Sequence, residues 1–348
     1  MKTSIHSLII IALILLSQQT LAYSPEVAHT PLTTLSFFAY AKCTGDTTTY
    51  KFKDHDPSNR QRLIVSGNRA MDLGINVLDD KYKESNTVKK LFPKKLRIFN
   101  WHFYNPRNND IRITKRGFVK QSQRILWTRA KDSFKKMMMS DEKYLYLGAI
   151  IHLLEDTGVP AHVVPVYHGP KLGLLRLPIA DFKSLTDYLK KSKRYKKHST
   201  LIKDAVDYMQ PDNERLKTKI KEEFSPLNDF CKALVKEKTS PDAIRDKLAN
   251  STLDSLKKPI DQCGNVTWNV FWNNDIRDRK NKYFKGYNIN VPEFNEKGLI
   301  KQSNVEGSCE MKKNDNRYIN FAFKRHIETI KADVRLLNWA KNIFKRIY

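Results

Sequence analysis

Features that would mark several common protein classes are missing from this sequence. After residue 22, no stretch of about 18 residues is apolar enough to predict a membrane-spanning helix. The sequence has no glycine-rich phosphate loop and no alternation of strand and helix patterns, so a nucleotide-binding α/β fold is disfavoured. Its four cysteines form no CxxC pair, which disfavours a zinc site built from cysteine.

Acidic residues are scarce relative to basic ones. The chain has 63 Lys and Arg against 37 Asp and Glu, which gives a formal net charge of +26. A charge of this size attracts anionic surfaces, namely phospholipid head groups, nucleic acid or an acidic cell envelope. Charge alone does not choose among these partners.

The first 22 residues have the pattern of a secretory signal peptide. Lys2 precedes an apolar run over residues 8–16, and small or polar residues lead to Ala22. We expect cleavage after Ala22, which gives a secreted or periplasmic protein that begins at Tyr23 and has no lipid-anchoring cysteine there. In an exported protein, an even number of cysteines predicts two disulfides whose pairing is left open. These cysteines are Cys43, Cys231, Cys263 and Cys309.

The spacing of apolar residues predicts an all-α fold. The helices predicted in this way cover residues 31–41, 61–75, 122–139, 144–157 and 318–347, with further helical patterns between 201 and 256. Residues 81–95 are charged and poorly periodic, while residues 257–315 are aromatic and rich in asparagine. We expect one helical domain over residues 23–348, in which 257–315 form an irregular or β-containing insertion.

Residues 144–168 contain the densest set of possible metal ligands. His152 and Asp156 lie four residues apart, so a helix places both on one face, and His162 and His168 are expected in the loop that follows. A surface pair or a core hydrogen bond is the alternative explanation. However, the preceding helix is apolar, and a buried carboxylate needs an opposite charge. A divalent cation supplies that charge, and imidazole with carboxylate ligands favours zinc.

These residues resemble the secreted bacterial zinc-dependent phospholipase C family, which shares its helical fold and three-zinc cluster with the fungal single-strand-specific zinc nucleases. The resemblance rests on His-x3-Asp-x5-His over residues 152–162 and on His102 in the run Trp-His-Phe-Tyr. Tyr23 and Ser24 are similar to the Trp-Ser start of the mature family members. Residues 160–168 are more similar to the branch that includes the Legionella and Pseudomonas enzymes.

The resemblance implies a set of ligands for each of three zinc ions. The ligands of the first ion would be His102, His152, Asp156 and Asp72. Those of the second would be His29, a bridging Asp156, and the amine and carbonyl of Tyr23. Those of the third would be His162, His168 and Asp181.

Two of the carboxylates have rivals in the sequence. Asp79 and Asp80 are alternatives to Asp72. The family completes its remaining zinc site with His-x3-Glu or His-x3-Asp, and this chain lacks such a pair at the corresponding place. Asp187 is therefore an alternative to Asp181.

The implied activity is hydrolysis of the glycerol-side phosphodiester bond of phospholipids, with phosphatidylcholine as the expected substrate. A zinc-activated water would attack phosphorus, Asp72 would act as its base or orient it, and diacylglycerol would leave. Trp101, Phe103 and Tyr104 either line a pocket for a quaternary ammonium head group or pack in the core.

Two other functions stay open. One is a zinc-dependent single-strand nuclease or nucleotidase, for which nucleic acid is the less favoured partner. The other is a non-catalytic exported binding protein on the same scaffold. No obligate protein partner is expected.

Overall fold

The computed structural model describes residues 28–50, 60–92, 102–107, 122–164, 211–264, 267–268 and 315–345. Within these ranges the chain is mostly helical and contains no β-strand, only an isolated antiparallel bridge between Pro259 and Thr267. The predicted all-α class is therefore confirmed. Among the same residues, no helix combines the length and the apolar character needed to cross a bilayer.

In the described part of the chain, the α-helices follow one another with short connections or with stretches that lie outside the described ranges. They are α1 (Thr30–Thr44), α2 (Arg60–Leu73), α3 (Asp80–Lys83), α4 (Asn86–Leu91), α5 (Ser122–Lys136), α6 (Glu142–Thr157), α7 (Pro160–Val163), α8 (Asn213–Glu223), α9 (Asp229–Lys236), α10 (Pro241–Leu256) and α11 (Asn316–Phe344). A short 3-10 helix, Ile75–Val77, follows α2.

The helices predicted from apolar spacing are present, with ends that differ by a few residues. Residues 81–95, whose apolar residues show no clear helical period, nevertheless contain α4, which begins after a capping serine. The Ser85 hydroxyl accepts a hydrogen bond from the backbone N–H of Val88, and the helix then buries Val88 and Leu91. Of the predicted insertion over 257–315, the structure describes residues 257–264, 267–268 and 315. They form turns and the bridge, and the rest of the insertion lies outside the described ranges.

The start of α1 fixes the position of His29. Pro31 stands in the first turn, where the N–H that proline lacks would have no helical partner. At the other end, Gly45 has a φ of 69°, and its N–H donates to the Ala41 carbonyl at 2.9 Å. A left-handed residue of this kind favours glycine and ends the helix. His29 is consequently held at the buried N-terminus of α1.

Helix α6 is the centre of the molecule, because every side chain over residues 143–157 is buried. Helix α2 crosses it at glycines that stand where the two backbones meet. A Cβ atom at Gly67 would lie 2.0 Å from the Leu145 carbonyl oxygen, and one at Gly148 would lie 2.0 Å from that of Ile64. Only glycine permits such an approach. The polar residues on this face of α2 therefore lie beside the last turns of α6.

Helix α11 covers the other side of the core. Its apolar residues Ile330, Val334 and Leu337 are fully buried, and each contributes about 1.5–3 kcal/mol relative to an exposed side chain. Phe134 of α5 packs on Trp339 of α11 with 5.3 Å between ring centroids. The core thus connects the last helix of the chain to the elements that surround α6.

Disulfides are present, as expected for an exported chain. Cys43 at the end of α1 is bonded to Cys231 in α9, across 188 residues of sequence. Cys263 is also disulfide-bonded. The remaining cysteine, Cys309, lies outside the described residues.

Candidate metal centre

The last two turns of α6 carry the central pair of the site. His152 and Asp156 face the same side of the helix, and both are buried. Across from them, α2 contributes Asp72, and the extended segment 102–107 contributes His102. Three segments that are distant in sequence therefore place nitrogen and oxygen donors in one buried volume.

A first group of donor atoms fits one metal ion. Asp156 Oδ2 lies 2.8 Å from His102 Nδ1 and 3.5 Å from His152 Nε2, and the two ring nitrogens are 2.9 Å apart. Asp72 Oδ1 completes the group at 3.5 Å from His152 Nε2 and 4.0 Å from His102 Nδ1. Ligands around a tetrahedral zinc ion are separated by about 3.3 Å, given bond lengths of about 2.0–2.1 Å. The distances between donor atoms in this group, from 2.8 to 4.0 Å, lie on both sides of that value.

The second oxygen of Asp156 faces another pair of histidines. Asp156 Oδ1 lies 3.5 Å from His29 Nε2 and 3.5 Å from His162 Nε2. The carboxylate thus has one oxygen directed at each of two adjacent groups of imidazoles. His29, Asp72 and His152 also have donor atoms within 4.8 Å of one another, so the two groups are continuous. Buried groups of this composition can hold a metal ion.

His162 lies on a short helix rather than in the predicted loop, which is a correction. Pro160 begins the single helical turn of α7, and His162 is fully buried on it. The segment around His102 anchors this turn, since the Tyr104 N–H donates to the His162 carbonyl at 2.8 Å. On the other side, His162 Nδ1 lies 3.3 Å from the His102 carbonyl. One backbone pairing therefore sets the positions of both histidines.

The ionisable side chains in this buried volume shift one another's pKa. Burial, the largest single contribution, lowers the pKa of His29, but hydrogen bonds and charge from Asp156 and Glu155 outweigh it and raise that pKa to about 10. Burial and the neighbouring His29 lower the pKa of His152. Burial raises the pKa of Asp156, but the positive potential of the histidines around it holds that pKa well below its usual value. Asp156 is therefore ionised and attracts positive charge, from protons or from metal ions.

Two further acidic residues lie behind the histidines and aspartates of the site. Glu155 of α6 and Asp333 of α11 are both fully buried. Burial and the charge of Glu155 raise the pKa of Asp333 well above its ordinary value, which favours the protonated form of Asp333. The Ser36 hydroxyl donates to Asp333 Oδ2 at 2.8 Å.

The rivals proposed for Asp72 lie on the surface. Asp79 pairs with the Arg62 guanidinium at 2.7 Å, and its side chain is 39% exposed. Asp80 pairs with Lys83 and is 96% exposed. Asp72, in contrast, lies within 4.0 Å of His102 and His152, so the structure favours Asp72.

Several predicted site residues lie outside the described ranges. They are Tyr23, Trp101, His168, Asp181 and Asp187. Of the ligands expected for the second ion, only His29 and Asp156 are therefore described, and of those expected for the third ion, only His162.

Two of the three aromatic residues for which a head-group pocket and core packing were alternatives are described, and both are buried. Phe103 and Tyr104 are 3% and 2% exposed. Tyr104 belongs to the hydrophobic core, the guanidinium of Arg245 lies 3.9 Å from its ring centroid, and its hydroxyl donates to Asp246 of α10. These contacts favour the core alternative for Tyr104.

Three residues of the site were not predicted: Asn68, Glu155 and Asp333. Glu155 lies three residues after His152, so helical spacing places it beside His152, and this spacing was available as a signal. Asn68 lies four residues before Asp72, so the same helical spacing that links His152 to Asp156 was available as a signal.

The donor set suits a metal ion on two further grounds. The described ligands are imidazoles and carboxylates with no cysteine, a combination typical of zinc and similar divalent ions. Asp72 Oδ2 is buried and has no hydrogen-bond partner among the described residues, and a buried carboxylate oxygen in that position is costly unless a cation or a water satisfies it.

Fold and site together define a helical protein with a buried histidine and aspartate centre able to hold a metal ion. Comparisons of this chain with protein-family models, with curated proteins and with solved structures give no match.

Proposed function

We propose that the chain is an exported zinc-dependent phosphodiesterase of the phospholipase C type. The observation that carries this proposal is the position of Asp156. Its two oxygens face two different pairs of histidines, at 2.8 and 3.5 Å for Oδ2 and at 3.5 Å twice for Oδ1. A carboxylate in this position could be shared by two adjacent metal ions, and many enzymes with two-metal sites, such as phosphatases and nucleases, cleave phosphate esters.

The residues that would hold zinc follow from these distances. One ion would be held by His102, His152, Asp72 and Asp156, and a neighbouring ion by His29, His162 and the other oxygen of Asp156. Bound zinc would neutralise the negative charge that grows on a phosphodiester in the transition state and would make a water nucleophilic near neutral pH.

Asp72 is the residue to which we assign proton transfer. Its Oδ1 faces the histidines, while Oδ2 has no hydrogen-bond partner among the described residues and is available to a water. Its side chain is 11% exposed, whereas those of His102, His152 and Asp156 are at most 2% exposed. Substrate would therefore approach from the side of Asp72.

Two observations favour a phospholipid over other phosphodiesters. Residues 160–168 are similar to the phospholipase branch of the family, and the net charge of +26 favours an anionic membrane surface. The same charge would also favour a nucleic acid. An assay must therefore present both substrates.

The test uses the exported, signal-cleaved protein, prepared with zinc and after chelation. It is incubated with phosphatidylcholine vesicles and, separately, with single-stranded DNA. We expect zinc-dependent release of phosphocholine that is lost in Asp156→Asn. Asp79 is a surface carboxylate that pairs with Arg62, so Asp79→Asn is the matched control and should keep full activity.

Other results would overturn the proposal in distinct ways. Cleavage of DNA without cleavage of lipid would establish the nuclease instead. Tight zinc binding with no activity on either substrate would favour the non-catalytic binding protein. Activity that survives in Asp156→Asn would show that the chemistry occurs elsewhere in the chain.

A further inference from the structure

Two polar residues lie behind the metal-facing histidines, on the side away from Asp156. Glu155 Oε2 contacts His29 Nδ1, and Asn68 Oδ1 lies 3.2 Å from His152 Nδ1. The two polar residues also contact each other, since Asn68 Nδ2 lies 2.8 Å from Glu155 Oε2. A continuous chain of contacts therefore runs from one imidazole to the other.

The chemistry of these groups determines where the protons lie. A carboxylate only accepts hydrogen bonds, so Nδ1 of His29 must donate to Glu155. The Asn68 amide group must also donate to Glu155, so its carbonyl oxygen is the atom that faces His152 and accepts from Nδ1. Both imidazoles consequently carry a proton on Nδ1. Nε2 is the atom of each ring that faces the carboxylates of the site, and it would bind an ion after releasing any proton that it holds.

We propose that Glu155 and Asn68 are positioning residues that fix the ring orientation and the Nδ1–H form of His29 and His152. They would thereby direct the Nε2 atom of each ring toward a bound metal ion. This inference rests on the metal centre put forward above. It assigns roles to two residues that do not themselves face the ions.

Packing around the pair supports a fixed geometry. Thr33 of α1 donates to Glu155 Oε1 at 2.7 Å and accepts from Asn68 Nδ2 at 2.9 Å. The two histidine rings lie nearly parallel, with centroids 4.1 Å apart and an angle of 26°. Both rings are fully buried, so neither can rotate without displacing the other or losing its acceptor.

The removal of such a hydrogen-bond acceptor lowers metal affinity by an amount that can be estimated. Partners that orient a metal-bound histidine through its other nitrogen typically change metal affinity by about 10–100-fold when they are removed. Glu155 contacts His29 directly and reaches His152 only through Asn68, so its removal should affect the ion held by His29 first.

The experiment measures zinc equivalents per chain and zinc affinity, by competition with a chromophoric chelator. Glu155→Gln keeps an oxygen for His29 but removes the negative charge, and Glu155→Leu removes the acceptor altogether. Thr34→Val is the matched control, because the Thr34 hydroxyl lies on the exposed face of α1 and donates to the Thr30 carbonyl, away from Glu155 and Asn68. We expect weakening of about 10–100-fold in Glu155→Leu, a smaller loss in Glu155→Gln and little change in Thr34→Val.

Two further readouts separate positioning from a purely structural role. Urea unfolding of the chelated protein gives the effect of Glu155→Gln on the metal-free fold. The additional stabilisation on adding zinc should then be smaller in Glu155→Gln than in the wild-type chain. NMR of the imidazole nitrogens in the zinc-loaded protein should show Nδ1–H on His152, and Asn68→Leu should lose that signal.

The inference and the proposed function fail in different ways. If the wild-type chain binds no zinc, the metal centre itself is wrong. If the wild-type chain binds zinc but Glu155→Leu and Asn68→Leu bind it with the same affinity, the metal centre stands and the positioning role is wrong.

Discussion

Gly148 of α6 lies directly against the backbone of Ile64 in α2, so that a Cβ atom on the glycine would be 2.0 Å from the Ile64 carbonyl oxygen. The same Cβ would be 2.7 Å from the Asn68 backbone nitrogen. Both clashes involve backbone atoms, which cannot rotate away as a side chain can. The separation of α2 and α6 is therefore set by the absence of a side chain at this position.

Gly148→Ala should push the two helices apart. We expect the free energy of unfolding to fall by about 3 kcal/mol, near the upper end of the usual range for overpacking. Since Asn68 and Asp72 belong to α2 while His152 belongs to α6, zinc affinity should fall as well. Urea unfolding and chelator competition on the same preparation measure the two effects.

Thr128→Ala on the exposed face of α5 is the control for this variant, and it should change the free energy of unfolding by less than about 0.5 kcal/mol. An unchanged zinc affinity in a destabilised Gly148→Ala protein would contradict the link between this helix contact and the site.

The central part of the site could be predicted from sequence because it depends on local spacing. His152 and Asp156 face the same way on any helix, and the apolar residues before them indicate that the helix is buried. Their burial in the structure is therefore a consequence of a pattern that spans a few residues.

Local spacing places Asn68 beside Asp72 and Glu155 beside His152, but it does not predict their supporting contacts, because those contacts join distant segments. The contact between His29 and Glu155 joins residues 126 apart, and that between Asn68 and Glu155 joins residues 87 apart. Nothing in the sequence near Glu155 shows that α1 and α2 will meet beside it. The close approach at Gly67 and Gly148 is likewise visible only once both helices are placed.

Asp72 and Asp79 provide a direct test of the ligand assignment, since they are close in sequence and differ in surroundings. Asp72 Oδ1 lies 3.5 Å from His152 Nε2, whereas Asp79 pairs with Arg62 at the surface. We expect Asp72→Asn to lower zinc affinity by more than about 100-fold, beyond the range for residues that only orient a ligand. Asp79→Asn should bind zinc as the wild-type chain does.

Isothermal titration of the chelated proteins with zinc measures this difference. The two variants have the same change in charge, so a general electrostatic effect would weaken both equally. Equal zinc binding by Asp72→Asn and Asp79→Asn would exclude Asp72 as a ligand and would also remove the proposed base from the site.

Acid stability should depend on Asp46, which connects the end of α1 to α11. Asp46 Oδ1 accepts hydrogen bonds from the backbone N–H groups of Thr48 and Thr49 at 3.0 Å each, and Lys341 of α11 donates to Oδ2. Burial raises the pKa of Asp46, but the hydrogen bonds from Lys341 and Thr49 outweigh it and hold that pKa well below its ordinary value.

Because the pKa of Asp46 is lower in the folded than in the unfolded chain, the pH range in which Asp46 stabilises the fold can be worked out. In the unfolded chain the carboxyl titrates at about 3.9, so in acid the unfolded state binds a proton before the folded state does. The stabilisation from Asp46 is present above this pH and is lost as the pH falls toward the lower, folded-state pKa. Asp46→Asn should therefore cost about 1–3 kcal/mol at pH 7, a usual value for hydrogen bonds to a charged group, and progressively less below about pH 4.

Urea unfolding between pH 7 and pH 3 in the presence of a chelator measures this difference without a contribution from metal loss. Asp80→Asn is the control, because the Asp80 side chain is 96% exposed and its contact with Lys83 is open to solvent screening. Its stability should follow that of the wild-type chain at every pH. A difference between the wild-type chain and Asp46→Asn that stays constant from pH 7 to pH 3 would show that the loss comes from altered packing, since only an ionised carboxylate produces a pH-dependent stabilisation.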